Sequence, residues 1–289
     1  MDMPRASARQ WLNSPPPDDH PPRLPVTIRT LRDMVERGET FACLTCYDAT
    51  TARWLDRAGV PVLLVGDTAA EVILGYTRTI DMPLEVLLAL TAAVKRGAPM
   101  AHVMGDMPFM SYQASVADAV RNAGRLVQEG GADAVKLEGG AERAEAIRAI
   151  LAAGIPVMGH LGLTPQSVLA FGGFKVQGRG AAAADRLVED ARALEAAGCF
   201  ALVLEGMPAS VADRVTAAVA IPTIGIGAGA GTDGQVLVIH DLLGYTDQRV
   251  PKFVRRYADL DVAIKDAARR FIADVRAGTF PAAGETYSE

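Results

Sequence analysis

Only three cysteines, Cys43, Cys46 and Cys199, occur in 289 residues. So sparse and odd a set builds no disulfide framework, and it fits a reducing cytoplasm. Aromatic residues are scarce at 6%, so a core has to be filled by Val, Leu, Ile and Ala. Basic charge is not in excess either: 29 Lys and Arg against 34 Asp and Glu leave a net charge of −5. The short Arg255-Arg256 and Arg269-Arg270 pairs read as solvated helix faces, so a nucleic-acid partner, which needs a basic stripe, is not expected. Long apolar runs are missing as well. Stretches such as Val60 to Val65 are strand-sized, far below the roughly 20 residues that span a bilayer, and the N-terminus lacks the apolar core of a signal peptide. No membrane association is expected.

Glycine and proline, by contrast, are plentiful, at 28 and 17. Residues 1–25 hold Pro15-Pro16-Pro17-Asp18-Asp19-His20-Pro21-Pro22, which offers few backbone donors and nothing to bury. This segment reads as a disordered, proline-rich arm. Residues 26–289 read as one globular domain.

The globular part repeats one junction. Ala58-Gly59-Val60-Pro61-Val62 recurs as Ala153-Gly154-Ile155-Pro156-Val157, with looser echoes at Gly130-Gly131-Ala132, Ala197-Gly198-Cys199 and Ala220-Ile221-Pro222. A glycine free to turn left-handed, followed by a short apolar run, is what a helix end leading into a strand requires. Between junctions lie helical patterns at 115–129, 142–153 and 182–197. The first opens with Ser115 and Asp118 at capping-box spacing and sets Ala119, Ala123 and Leu126 on one face. Strands are expected at 41–45, 61–66, 101–105, 133–138, 155–159, 201–205, 221–226 and 235–240. They are continuously apolar, as strands covered on both faces should be. Eight such units predict an α/β fold, a (β/α)8 TIM barrel.

Active sites of such barrels lie at the C-terminal ends of the strands. Those ends carry Asp67, Asp106, Lys136 with Glu138, His160 and Glu205. Lys136 and Glu138 are two residues apart, so a strand points both to the same side. Three carboxylates facing one lysine in an apolar cavity repel one another unless a cation joins them. A divalent metal held by Asp67, Asp106 and Glu138, directly or through water, meets that need, and hard oxygen ligands suit magnesium. Singly, each of these residues has a plainer role as a cap, a snorkelling cation or a structural histidine. Their coincidence on one face makes the site.

Other motifs are weaker. Cys43-Leu-Thr-Cys46 has CxxC spacing on a strand with no second pair, which favours core cysteines. Gly225 to Gly231 follows strand seven and reads equally as a phosphate cradle or as backbone in close approach to its neighbours. His240-Asp241 ends strand eight as a cap or orienting pair.

At these residues the chain resembles the ketopantoate hydroxymethyltransferase (3-methyl-2-oxobutanoate hydroxymethyltransferase) family over about Val26 to Pro281. The resemblance is carried by Leu44-Thr-Cys-Tyr-Asp48, Leu64-Val-Gly-Asp67, Asp106-Met-Pro-Phe-Met110 and Val135-Lys-Leu-Glu-Gly-Gly140. The longest blocks are Gly159-His-Leu-Gly-Leu-Thr-Pro-Gln-Ser167 and Phe171-Gly-Gly-Phe-Lys-Val-Gln-Gly-Arg-Gly180. Thr232-Asp-Gly-Gln235 extends it. It implies a barrel of the phosphoenolpyruvate/pyruvate-binding type that uses one Mg2+ per subunit and 5,10-methylenetetrahydrofolate as co-substrate. It also implies a homo-oligomer, usually a decamer. By position, the family's metal ligands fall on Asp67 and Asp106, with Glu138 as a further acidic group. The 2-oxo acid site falls on Asp67, Thr68, Asp106 and Lys136. The catalytic proton acceptor falls on Glu205, with His160 beside it to position or relay. The implied reaction adds a hydroxymethyl group to 3-methyl-2-oxobutanoate through a metal-stabilised enolate, giving 2-dehydropantoate for pantothenate and coenzyme A synthesis.

Departures from the family pattern cluster near the mouth. Thr68 stands where a serine is usual, and the stretch from Thr77 to Thr91 differs. Two other readings stay open on sequence: a folate-independent 2-oxo acid aldolase or lyase, with Lys136 as a Schiff-base nucleophile in one version, and a paralogue that binds a keto acid without catalysis.

Overall fold

A computed structural model describes residues 23–173, 175–247 and 250–287. The arm expected at 1–25 falls outside the described residues as far as position 22.

Eight parallel strands close into a barrel in chain order: β1 Phe41–Thr45, β2 Val62–Val65, β3 His102–Asp106, β4 Ala134–Glu138, β5 Val157–Gly162, β6 Ala201–Glu205, β7 Thr223–Ile226 and β8 Gly234–Leu237. Closure is made by β1 on β8, with Cys43 opposite Val236. The helices are α1 Ile28–Glu36, α2 Ala49–Arg57, α3 Ala69–Val72, α4 Leu84–Gly97, α5 Val116–Gln128 and α6 Ala144–Ala152, then α7 Val168–Phe171, α8 Ala181–Ala197, α9 Ala209–Ala218, α10 Ile239–Leu243 and α11 Leu260–Ala277. The expected junction glycines Gly59, Gly131, Gly154 and Gly198 all take positive φ, between 69° and 104°. Ser115 caps α5, its hydroxyl accepting from the Asp118 amide at 3.0 Å.

Alternation along the strands divides the apolar residues into two cores. Phe41, Cys43, Val62, Leu64, Met104 and Met158 fill the barrel interior, and α1 seals its floor with Leu31. Their alternate neighbours, such as Leu63, Val103, Leu137 and Leu202, pack outward against the helices. The same alternation carries Lys136 and Glu138 inward, since they continue the inner row begun by Ala134.

Several expectations need correction. Strand β8 stops at Leu237, and His240 and Asp241 lie in α10. The turn is set by the Ile239 amide, which donates to Thr45 Oγ1 at 3.0 Å instead of continuing the ladder. Strand β5 starts later and runs on to Gly162, so His160 is within the strand. The terminal helix runs Leu260–Ala277, and none of its residues is buried. No helix separates β7 from β8. The Gly225–Gly231 stretch is their return connection, where a Cβ on Gly231 would come 2.0 Å from Asp213 and one on Gly229 2.5 Å from Ala209. Close approach of this backbone to its neighbours is a reason for glycine at both positions.

Candidate active site

Strand register assembles the site. Asp106 pairs with Lys136 across β3 and β4, Glu138 with His160 across β4 and β5, and Gly162 with Glu205 across β5 and β6. Paired residues on parallel strands share a face about 4.8 Å apart, so inward charges become neighbours around the mouth. Asp67 and Thr68 come just after β2, beyond Gly66, and line the same small pocket, of about 50 Å3, as Asp106, Lys136, His160 and Glu205. Every residue expected at the site is therefore at the mouth. Glu138 lies just behind the pocket wall, against Lys136 and His160.

Lys136 Nζ donates to Asp106 Oδ2 at 3.0 Å and to Glu138 Oε1 at 3.4 Å. Burial opposes its charge, but Asp106, Glu138 and Asp67 outweigh burial and hold its pKa well above the usual lysine value. Its contacts with Asp106 and Glu138 favour the ammonium form. Asp106 Oδ2 also accepts the Asp67 backbone amide at 3.1 Å, while Asp106 Oδ1 is buried without a partner. Burial, and then the charge of Asp106, push the Asp67 carboxyl well above the ordinary carboxylate range. Asp106 is raised for the same first reason, against the pull of Lys136. Glu138 goes the other way: burial is outweighed by Lys136 and His160, and its carboxyl is held low.

His160 lies between two acids. Its Nδ1 is 3.5 Å from Glu138 Oε1 and its Nε2 3.3 Å from Glu205 Oε2. These are ion-pair distances without hydrogen-bond alignment, and both ring nitrogens lack a hydrogen-bond partner. Burial and Lys136 oppose protonation, but Glu138 and Glu205 prevail and raise the imidazole. Glu205 is the accessible acid, its side chain 18% exposed against 2% for Glu138. Gly162 holds the main chain beneath it: its φ is +94°, and a Cβ there would stand 2.2 Å from the Glu205 carbonyl oxygen.

Two oxygens of the Asp67 and Asp106 pair suit a hard cation. The orphaned Asp106 Oδ1 and the surplus of three buried carboxylates over one ammonium both ask for positive charge. Among the described residues no three His, Cys, Asp or Glu side chains form a ready-made metal cage. Such a cation would take two carboxylates from the protein and its other ligands from substrate and water.

Sequence reasoning missed Gln166 and Tyr112 as site residues. Gln166 is buried in the turn after β5, and its Nε2 donates to Asp67 Oδ2 at 2.9 Å. The Tyr112 hydroxyl donates to Gln166 Oε1 at 2.8 Å. Uncharged and remote in sequence, neither gives a strand-end signal, although Gln166 lies inside the Gly159–Ser167 block. The cysteines behave as core residues, and burial pushes the Cys43, Cys46 and Cys199 thiols up to about 12, 11 and 12.

A closed parallel barrel whose C-terminal mouth gathers acids, a charged lysine and a histidine around one buried pocket defines an enzyme of the (β/α)8 class. The family model of ketopantoate hydroxymethyltransferase matches residues 25–283. The chain belongs to the ketopantoate hydroxymethyltransferase family, and is thereby a transferase. It is 55% identical over 256 residues to the 3-methyl-2-oxobutanoate hydroxymethyltransferase of Syntrophus aciditrophicus, covering 89% of this chain and 94% of that one. Identity to the protein of the same name from Frankia casuarinae is 52% over 274 residues, 95% of this chain and 92% of the relative. Among solved structures, 2,3-dimethylmalate lyase of the PEP mutase/isocitrate lyase superfamily has a TM-score of 0.59 at 18% identity, covering 89% of this chain and 90% of that chain. Phosphonopyruvate hydrolase in complex with oxalate and Mg++ has a TM-score of 0.56 at 13% identity, over 90% and 91% of the two chains. At such identities the likeness is one of fold. Among the described residues no helix is long and apolar enough to cross a membrane.

Proposed function

We propose that this chain transfers a hydroxymethyl group from 5,10-methylenetetrahydrofolate to 3-methyl-2-oxobutanoate, giving 2-dehydropantoate and tetrahydrofolate. The observation that carries this reading is a single pocket with opposed walls. On one side stand the orphaned Asp106 oxygen and the charged Lys136, on the other the accessible Glu205.

Asp67 and Asp106 would hold a divalent cation, Mg2+ by the hardness of the donors, with Glu138 behind them. When bound, the cation supplies Lewis acidity to the keto and carboxylate oxygens of the substrate. Lys136 neutralises charge growing on those same oxygens, and Thr68 offers them a hydroxyl. Glu205 accepts the proton from C3 of the oxo acid. His160 stands between Glu205 and Glu138 and keeps the proton within the site. C3 then bonds to the one-carbon unit, both carbon–nitrogen bonds of the folate's methylene bridge break, water supplies the hydroxyl oxygen, and the two folate nitrogens take up the protons given up by C3 and by water.

Lys136 argues against a Schiff-base aldolase, because an amine held protonated by three carboxylates is no nucleophile. A homo-oligomer is supported by α11, which buries nothing yet exposes Val262, Ile264, Phe271 and Val275. A cytoplasmic setting is supported by the three free buried thiols. The deciding assay supplies 3-methyl-2-oxobutanoate, methylenetetrahydrofolate and Mg2+ and measures 2-dehydropantoate. Product that vanishes on chelation and returns with Mg2+ is the expected result. Product formed without the folate, or binding of the oxo acid with no product, overturns the reading.

A further inference from the structure

We propose that Gln166 is a positioning residue, whose side-chain amide, itself oriented by Tyr112, presets the Asp67 carboxylate for a divalent cation. This rests on the cation site proposed above for Asp67 and Asp106.

Gln166 sits where the chain leaving β5 folds back over the mouth in the Pro165–Ser167 turn. Its amide is fully engaged. Nε2 donates to Asp67 Oδ2 and to the Met107 carbonyl, each at 2.9 Å. Oε1 accepts from the Tyr112 hydroxyl at 2.8 Å and from Gln113 Nε2 at 3.1 Å. Its backbone amide donates to Glu138 Oε2 at 2.9 Å. With two donors and two acceptor positions used, a flipped amide would set Oε1 against two acceptors, the Asp67 carboxylate and the Met107 carbonyl. The donor side is thereby locked toward Asp67.

Tyr112 extends the chain of bonds to the barrel wall. Its hydroxyl accepts from the Glu138 backbone amide at 3.1 Å and has two acceptors within reach, Gln166 Oε1 at 2.8 Å and the Glu138 carbonyl at 3.2 Å, of which the shorter contact, to Gln166, takes its proton. Strand β4 therefore orients Tyr112, Tyr112 orients Gln166, and Gln166 holds Asp67, in a run of buried bonds that polarise one another. Asp67 lies two residues beyond the end of β2 and has no strand partner of its own. Partners that hold a ligand from behind typically contribute about 10- to 100-fold in metal affinity.

The test titrates Mn2+ alone into the full chain by calorimetry, without oxo acid or folate, and pairs each titration with a melting curve of the metal-free protein. We expect wild type to bind, Asp67→Asn to lose binding, and Gln166→Met to lose about 10- to 100-fold in affinity while its melting curve still shows one cooperative transition. Tyr112→Phe, which keeps the amide but removes its orienting donor, weakens Mn2+ in the same direction by less. In turnover, saturating Mg2+ restores most of the kcat of Gln166→Met, so the defect resides in the metal concentration required. Wild-type affinity in Gln166→Met while Asp67→Asn is silent overturns the positioning role and leaves the cation site standing. No Mn2+ binding by wild type overturns both. Should Gln166→Met fail to fold, undiminished affinity in Tyr112→Phe overturns the role by itself.

Discussion

His160 Nε2 lies 3.3 Å from Glu205 Oε2 while its Nδ1 faces Glu138 at 3.5 Å, so one imidazole spans the accessible acid and the buried acid of the mouth. The two carboxylates are thereby distinguished by environment rather than by type. Glu138 is held ionised among Lys136, His160 and Gln166, whereas Glu205 faces the pocket where a substrate proton would be taken.

Glu205→Gln keeps the shape of that side chain and removes its basicity. The expected outcome is a fall in kcat of about 10² to 10⁴, with oxo acid and Mg2+ affinities close to wild type. Steady-state kinetics together with calorimetric binding check it, and turnover at the wild-type rate refutes the assignment.

Lys136, paired with Asp106 at 3.0 Å, should stay charged throughout the working pH range. Borohydride added with 3-methyl-2-oxobutanoate therefore leaves the intact mass of the protein unchanged. A reduced adduct mapped to Lys136 would mean that the amine acts as a nucleophile.

The three thiols, pushed up to about 12, 11 and 12 by burial, should be unreactive in the folded chain. A disulfide reagent at pH 8 is expected to modify none of them before unfolding and all three in guanidinium, because the thiolate is the reactive species. Rapid reaction of Cys43 or Cys46 in the native protein would instead support a redox role for the CxxC spacing.

Acid stability has a marker in His102, buried on the barrel floor edge-to-face with Phe200 at 5.8 Å. Burial lowers its pKa below the usual histidine value, against the pull of Asp133 and with help from Lys95. The folded chain thus holds His102 neutral where the unfolded chain takes a proton. Its contribution is intact above about pH 6.5 and is lost as pH falls from there toward the folded pKa, by at most about 1.4 kcal/mol per pH unit. Urea unfolding at pH 7.5, 6.5 and 5.5 should show this decline, and His102→Gln should flatten it. Parallel declines in the two proteins would assign the acid sensitivity elsewhere.

Barrel and mouth were legible along the chain because both are periodic. The junction glycine and the apolar run behind it recur in most units, charge recurs at the strand ends from β2 to β6, and Lys136 and Glu138 share a face by strand alternation alone. What failed to show in one dimension was whatever breaks that period. The helix-free return from β7 to β8 hid behind glycines that equally suit a phosphate loop, and the close of β8 depended on Thr45, 194 positions away from Ile239.

The amino-acid order by itself determined the eight-unit barrel, the apolar filling of its two cores and the identity of the strand-end acids, lysine and histidine. These follow from local propensity and alternation, which act between near neighbours. Only the tertiary structure decided which charges touch: that Lys136 serves Asp106 and Glu138 together, that His160 stands between Glu138 and Glu205, and that Gln166 reaches Asp67 across 99 residues. The physical reason is that barrel closure and strand register fix these distances, and the strength of a buried charge or hydrogen bond depends on distance and enclosure, not on separation along the chain.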